Sequence, residues 1–105
     1  METEIAKYYI NDTFFITDRG IVFVGYIVEG FVKPGSYIEF PAFNQILVRK
    51  IIGVESINSK NPKTTNGLLI QCKDEFEMKE LRNLKPSKIT AIIKQIDDET
   101  DRINS

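Results

Sequence analysis

Histidine and tryptophan are absent from this 105-residue chain, and cysteine occurs once. Without histidine the chain lacks the usual general base at neutral pH, the commonest metal ligand and the usual pH switch. A single cysteine, Cys72, excludes an internal disulfide. It lies in the apolar run Leu68–Cys72 and reads as a buried, inert thiol, because a nucleophilic cysteine needs a base beside it. No apolar run approaches the ~20 residues that span a bilayer, and the N-terminus carries no signal-peptide pattern. The expectation is a chain with no membrane association in a reducing, cytoplasmic setting.

Acidic clusters do not fill the gap. Asp74/Glu75 and Asp97/Asp98 fall in segments that read as solvated surface, and a carboxylate tuned for catalysis needs a pocket. The run DDETD at 97–101 lacks the glycine and the terminal glutamate spacing of a calcium loop. No metal, no cofactor and no catalytic residue is assigned, so the chain is expected not to be an enzyme.

What is present is an ordinary globular composition, 42% hydrophobic and 28% charged, in a length that makes one domain. The formal net charge is −1. Asp97–Ser105 holds four acids and one arginine, a net of −3, which leaves the body at +2. Residues 1–96 are expected to form the single domain, with residues 1–11 as an N-terminal arm or first strand. Residues 97–105 read as an acidic, flexible tail.

Short β-branched and aromatic runs alternate with turn signals. Asp12–Thr17 is a short strand and Asp18-Arg19-Gly20 a turn. Ile21–Glu29 is the strongest strand, and Lys33-Pro34-Gly35 is a type II turn in which Pro34 presets φ and Gly35 supplies the positive φ. Ser36–Phe40 is a strand, Pro41–Gln45 a loop, and Ile46–Ile57 a long strand bent at Gly53. Asn58–Asn66 is a loop, and Gly67–Lys73 and Ile89–Ile96 complete the strands. Asp74–Leu84 breaks the pattern: Asp74 and Glu77 have capping-box spacing, which predicts one or two helical turns. The whole reads as an all-β fold, a small barrel or sandwich with one short helical turn.

Four glycines fall at five-residue intervals: Gly20, Gly25, Gly30 and Gly35. Three sit in turns. Gly25 lies inside a strand, where glycine marks a bulge, a bend or a close backbone approach. The strand they bracket is apolar on both faces, with Ile21, Phe23 and Ile27 on one and Val22, Val24, Tyr26 and Val28 on the other. One face fills a core. The other needs a cover, either the N-terminal arm with Ile5, Tyr8 and Tyr9, or a partner or ligand.

The run DTFFITDRGIVFVGYIVEGFVKPGSYIEF resembles the second domain of the translational GTPases, the group of elongation factor Tu and its related initiation factors. The likeness rests on Asp12, Phe14, Arg19-Gly20, Gly25, Gly30 and Lys33-Pro34-Gly35. It continues in Gly53-Val54-Glu55, Gly67-Leu68-Leu69 and the charged Asp74–Leu84 segment, covering about Asn11 to Lys94. The resemblance implies a closed six-stranded antiparallel β-barrel that contacts RNA or a ribonucleoprotein such as the ribosome. Carried across, the family's aminoacyl-end pocket falls on Asn11, Asp12, Phe14, Val22, Val24, Glu55, Asn58 and Thr65. Asp12, Phe14, Val22 and Glu55 keep the family's residue types. Asn11 stands for an acid, Val24 for a threonine, Asn58 for a basic residue and Thr65 for an asparagine. Asp12 and Phe14 have a second reading as residues that hold the first hairpin.

The phosphate-cradling Gly-x-x-x-x-Gly-Lys-[Ser/Thr] run is missing, so the chain carries no GTPase. The pattern is that of an isolated module, and the Met1 start reads as one encoded alone. Lys79, Arg82, Lys85, Lys88 and Lys94, with Lys60 and Lys63 in a loop, are candidate phosphate contacts, and Tyr8, Tyr9, Phe31, Tyr37 and Phe43 candidate stacking surfaces. Glu75, Glu77 and Glu80 interleave with the lysines, so a solvated mixed-charge face is the competing reading. Two functions follow: a non-catalytic binding module that contacts RNA or a ribonucleoprotein, or a protein-interaction barrel that has lost the RNA role. A basic rim beside Glu55 and Asn58 would favour the first, and a broad apolar patch at Val22, Val24 and Tyr26 the second.

Overall fold

Alternation organises the first strand, and a bulge resets it. In the computed structural model, which describes residues 2–96, β1 runs without a break over Glu2–Ile16. Ala6, Tyr8 and Ile10 point inward and are buried. The register then slips between Ile10 and Asp12, leaving Asn11 as the extra residue. The slip moves the inward phase from even to odd positions, so Thr13 is buried and Asp12 and Phe14 face out. An unbroken alternation would have put the Asp12 carboxylate in the core. The expected arm and short strand are thus one continuous strand, and the expected acidic tail at 97–105 lies outside the described residues.

β2 (Gly20–Gly30), β3 (Tyr37–Ala42), β4 (Gln45–Ser56), β5 (Asn66–Ile70) and β6 (Ile89–Ile96) complete the sheet, with one helix, α1 (Glu75–Leu84), between β5 and β6. All pairings are antiparallel, and the strands close in the order β1-β2-β5-β4-β3-β6. The expected six-stranded barrel is the observed fold. Closure removes the exposed sheet edges that an open sheet of this size would carry. Inside, Tyr8, Ile10, Ile21, Phe23, Ile38, Phe40, Ile51, Leu68 and Ile93 are all but inaccessible. Phe23 and Phe40 meet edge to face with centroids 5.0 Å apart. Each such side chain contributes about 1.5–3 kcal/mol by leaving water. Tyr8 keeps its hydroxyl satisfied by donating to the carbonyls of Phe23 (3.1 Å) and Asn66 (2.8 Å).

Gly25 marks a close approach. A Cβ there would lie 1.7 Å from the Tyr9 carbonyl oxygen, so no other residue fits beside the β1 bulge. The bulge itself belongs to the partner strand. The Lys33–Ser36 turn has the expected type II form: Gly35 has φ +93° and Ser36 N donates to Lys33 O at 3.2 Å.

Three boundaries differ from expectation. Pro41–Gln45 is not a loop, since β3 runs through Pro41 to Ala42 and pairs Ala42 with Gln45 across a two-residue turn. Phe43 and Asn44 both have positive φ, 55° and 61°, which is the turn geometry that matches strand twist. β5 ends at Ile70, three residues early. The helix spans ten residues, nearly three turns, with Asp74 Oδ1 accepting from Glu77 N at 2.8 Å. Its one fully buried side chain, Leu81, closes one end of the core.

Candidate functional site

Two rows of outward-facing residues cross four strands. Pairing aligns Asp12 with Val24, Val24 with Gly67 and Gly67 with Glu55, from β1 through β2 and β5 to β4. The adjacent outward row is Phe14, Val22, Leu69 and Gly53. Five of the sequence-derived residues, Asp12, Phe14, Val22, Val24 and Glu55, therefore share one face. Asn11 occupies the bulge beside it, and its Nδ2 donates to Thr64 Oγ1 at 3.2 Å. Asn58 and Thr65 stand at the base of one loop, closed where Ile57 N donates to Thr65 O at 2.8 Å. Asn58 is exposed, and Thr65 acts through its backbone, donating from N to Gly25 O at 2.8 Å.

The cover of this face differs from the N-terminal arm expected to supply it. β1 lies edge to edge with β2 and sends Tyr8 into the core, so it cannot lie over the sheet. The loop after β4 does that work, held down by the Asn11 and Thr65 bonds. Ile57 Cδ1 and Val22 Cγ1 flank the space above Gly67, each 3.3 Å from where a Cβ would stand. Val24 is only 5% exposed as a result. Tyr9 and Tyr26 pack on each other with centroids 5.3 Å apart. Val22, Val24 and Tyr26 thus present no broad apolar patch. At Glu55 the neighbour is basic: Arg19, from the first hairpin turn, donates from Nη2 to Glu55 Oε1 at 2.6 Å.

The aromatic and basic residues meet at the end of this face nearest α1. Phe14 and Phe15 are exposed, at 48% and 37%. Lys85 Nζ lies 5.7 Å from the Phe14 ring centre and the Arg82 guanidinium 4.6 Å from that of Phe15. Lys85 also approaches Asp12 Oδ1 at 3.8 Å, while that oxygen accepts from Thr13 N at 2.8 Å. Thr13, Phe14, Phe15, Arg82 and Lys85 line a hollow of about 270 Å³. The position of α1 makes this ledge, and that position is fixed partly by Thr13, whose hydroxyl donates to Pro86 O.

Phe15 went unflagged in the sequence. The signal was there: adjacent phenylalanines at the end of a strand cannot both face the core. Of the flagged aromatics, Tyr8 is fully buried and cannot stack on a ligand, whereas Phe31 and Phe43 are exposed. Lys94 is held by Glu39 (2.7 Å) and Glu2 (3.1 Å) on another part of the barrel. Cys72 is half-buried, and burial first, then Glu77, pushes its thiol up to about 11, away from thiolate chemistry at neutral pH. Among the described residues no group of three or more Cys, Asp or Glu stands close enough to hold a metal ion, and no helix is long and apolar enough to cross a membrane.

No protein-family model, curated protein or solved structure matches the chain.

Proposed function

We propose that the protein is a non-catalytic binding module related to the second domain of the translational GTPases, and that it contacts single-stranded RNA through the Phe14–Phe15 ledge. One observation carries this reading: two consecutive phenylalanines are exposed at the end of β1, each with a cation from the end of α1 over its ring. Aromatic faces that stack bases, set beside cations that meet phosphates, are what sequence-tolerant binding of a single strand requires. The closed barrel and the residue pattern from Asp12 to Gly35 support the relationship. Lys60 and Lys63 are exposed on the loop beyond Asn58, while the charge of Arg19 is taken up by Glu55. The competing function, a protein-interaction barrel, finds no support at Val22, Val24 and Tyr26.

The test is anisotropy of a labelled twelve-residue oligouridylate with the purified chain at low salt. The expected Kd is on the order of 10⁻⁵ M. Phe14→Ala and Phe15→Ala each lose about 1–3 kcal/mol of binding, with a smaller loss of thermal stability because each ring is part-buried. No binding at low salt, or variants that bind as the native chain does, would overturn the proposal.

A further inference from the structure

The end of β1 and one side of α1 frame two neighbouring hollows. The first, about 270 Å³, is the ledge beside Phe14 and Lys85. The second, about 250 Å³, is lined by Phe15, Glu75, Met78, Lys79 and Arg82. Phe15 and Arg82 line both, so the ring and the guanidinium that lies 4.6 Å from its centre form the wall between them. Each hollow is smaller than the ~300 Å³ at which pockets begin to enclose a drug-sized ligand, so each suits a single flat group.

The second hollow carries charges that the fold leaves unpaired. Glu75, Lys79 and Arg82 are spaced i, i+4 and i+7 on α1, which places them along one side of the helix. Glu75 precedes Lys79 in the order that favours an ion pair. Among the described residues, however, no salt bridge engages Glu75, Lys79 or Arg82. The first turn of α1 suits an acid, which is one reason for Glu75. The hollow gives the same carboxylate a second property. It is the one acceptor-only side chain in a lining that is otherwise aromatic, apolar or cationic. A phosphate is repelled from that point, and a group that presents N–H donors is drawn to it.

We propose that the second hollow takes the base next to the one on the ledge, and that Glu75 makes guanine the base it prefers. This rests on the RNA reading and adds sequence preference to it. Unpaired bases in single-stranded RNA lie against aromatic or guanidinium planes and are read along their exposed edges. Phe15 and Arg82 supply such planes at this hollow, and Glu75 the group that reads the edge. A carboxylate only accepts, and it has two oxygens side by side. The Watson–Crick edge of guanine presents two adjacent donors, N1–H and N2–H, that match them. Cytosine and adenine present one amino donor beside an acceptor nitrogen, and uracil one N–H between two carbonyls. Each of those three turns an acceptor toward the carboxylate.

The experiment is anisotropy at low salt with two labelled twelve-residue RNAs, oligouridylate and alternating uridine–guanosine, on the native chain and on Glu75→Gln. Alternation brings a guanine to the second hollow in either register. The native chain is expected to bind the alternating RNA about tenfold more tightly, the size of one good bidentate contact. Replacing guanosine by inosine, which lacks the N2 amine, is expected to remove most of that preference, and this comparison needs no variant. Glu75→Gln keeps one acceptor oxygen but turns a donor toward guanine. It is expected to bind both RNAs alike, and oligouridylate no more weakly than the native chain does. Glu75 is exposed, so the variant is expected to fold, and its thermal unfolding checks that. An acid that serves only the helix end would leave the ratio of the two affinities unchanged. Equal binding of the two RNAs by the native chain, inosine as good as guanosine, or a preference that survives in Glu75→Gln would overturn the proposal and leave the RNA reading standing. Binding of neither RNA would overturn both.

Discussion

Arg49 and Glu77 form a two-pronged ion pair that fastens α1 to β4. Arg49 Nε donates to Glu77 Oε2 at 2.8 Å and its Nη2 donates to Oε1. Glu77 Oε2 also accepts from Lys73 N at 2.7 Å. The side chains are only 22% and 11% exposed, so water screens the pair weakly. The hydrogen bond from Arg49 is the main reason that Glu77 is held below its ordinary carboxylate pKa, and the same bond holds Arg49 above its own. The pair sets where the helix lies, and the helix supplies Arg82 to the ledge.

Glu77→Gln is therefore expected to cost about 2 kcal/mol at pH 7, since it removes charge-assisted hydrogen bonds from a poorly solvated site. The pH dependence has a definite sign. A carboxylate whose folded pKa is depressed contributes stability in full above its unfolded pKa, about 4.3. That contribution is lost as pH falls through the folded value. Urea unfolding of native and Glu77→Gln chains at pH 7, 5 and 3 should show a gap that closes with acid. A gap independent of pH would mean that the charge is not what matters.

Gly25 and Gly35 separate two uses of glycine. Gly25→Ala would force a Cβ to 1.7 Å from the Tyr9 carbonyl, so strands β1 and β2 must part beside the bulge. The expected cost is about 4 kcal/mol or more. At Gly35 a Cβ meets nothing within 4 Å, and only the φ of +93° is strained. Gly35→Ala is expected to cost about 1–2 kcal/mol. Equal losses in guanidinium unfolding would remove the distinction.

The glycine spacing made the barrel legible because each position answers to a local rule: a turn that needs positive φ, or a strand crossing that leaves no room for a side chain. The Lys33–Ser36 turn and the Asp74 cap were legible for the same reason. The Asn11 bulge was not. Nothing local in YINDTF marks the slip, and only the requirement to keep Asp12 out of the core and Thr13 in it shows where it must fall. The Phe43–Asn44 turn was hidden because phenylalanine rarely takes positive φ. The candidate site divides in the same way. Local alternation puts Asp12 with Phe14 and Val22 with Val24, but only the register and the Asn11 bulge bring both pairs onto one face with Glu55, and the Phe15–Arg82 contact depends on where α1 settles, which the Arg49–Glu77 pair helps to decide.

Tyr8→Phe tests a buried polar anchor. The hydroxyl serves carbonyls on β2 and β5, and its loss leaves both without that donor, at about 1–2 kcal/mol. Burial raises the Tyr8 pKa well above its ordinary value. The folded state therefore favours the protonated phenol, and its contribution is complete below the unfolded pKa of about 10 and declines as pH rises beyond it. The difference in stability between native and Tyr8→Phe chains should narrow above pH 10. Absorbance at 295 nm should show one tyrosine ionising only as the chain unfolds.

Salt separates the two halves of the ledge. Single-stranded RNA held by cations releases counterions, and the logarithm of affinity falls with that of salt by about 0.7 per phosphate neutralised. Arg82 and Lys85 stand over the two rings, so about two phosphates are expected, giving a slope near −1.4. Arg82→Gln should lower the slope by about one phosphate's share and weaken binding mainly at low salt. Phe15→Ala should weaken binding by a similar factor at every salt concentration, because stacking releases no counterions. Arg82 is exposed, so Arg82→Gln should change unfolding free energy by no more than about 0.5 kcal/mol. If Phe15→Ala instead changes the slope and Arg82→Gln does not, the ring only positions the guanidinium, and the phenylalanines are not a stacking surface.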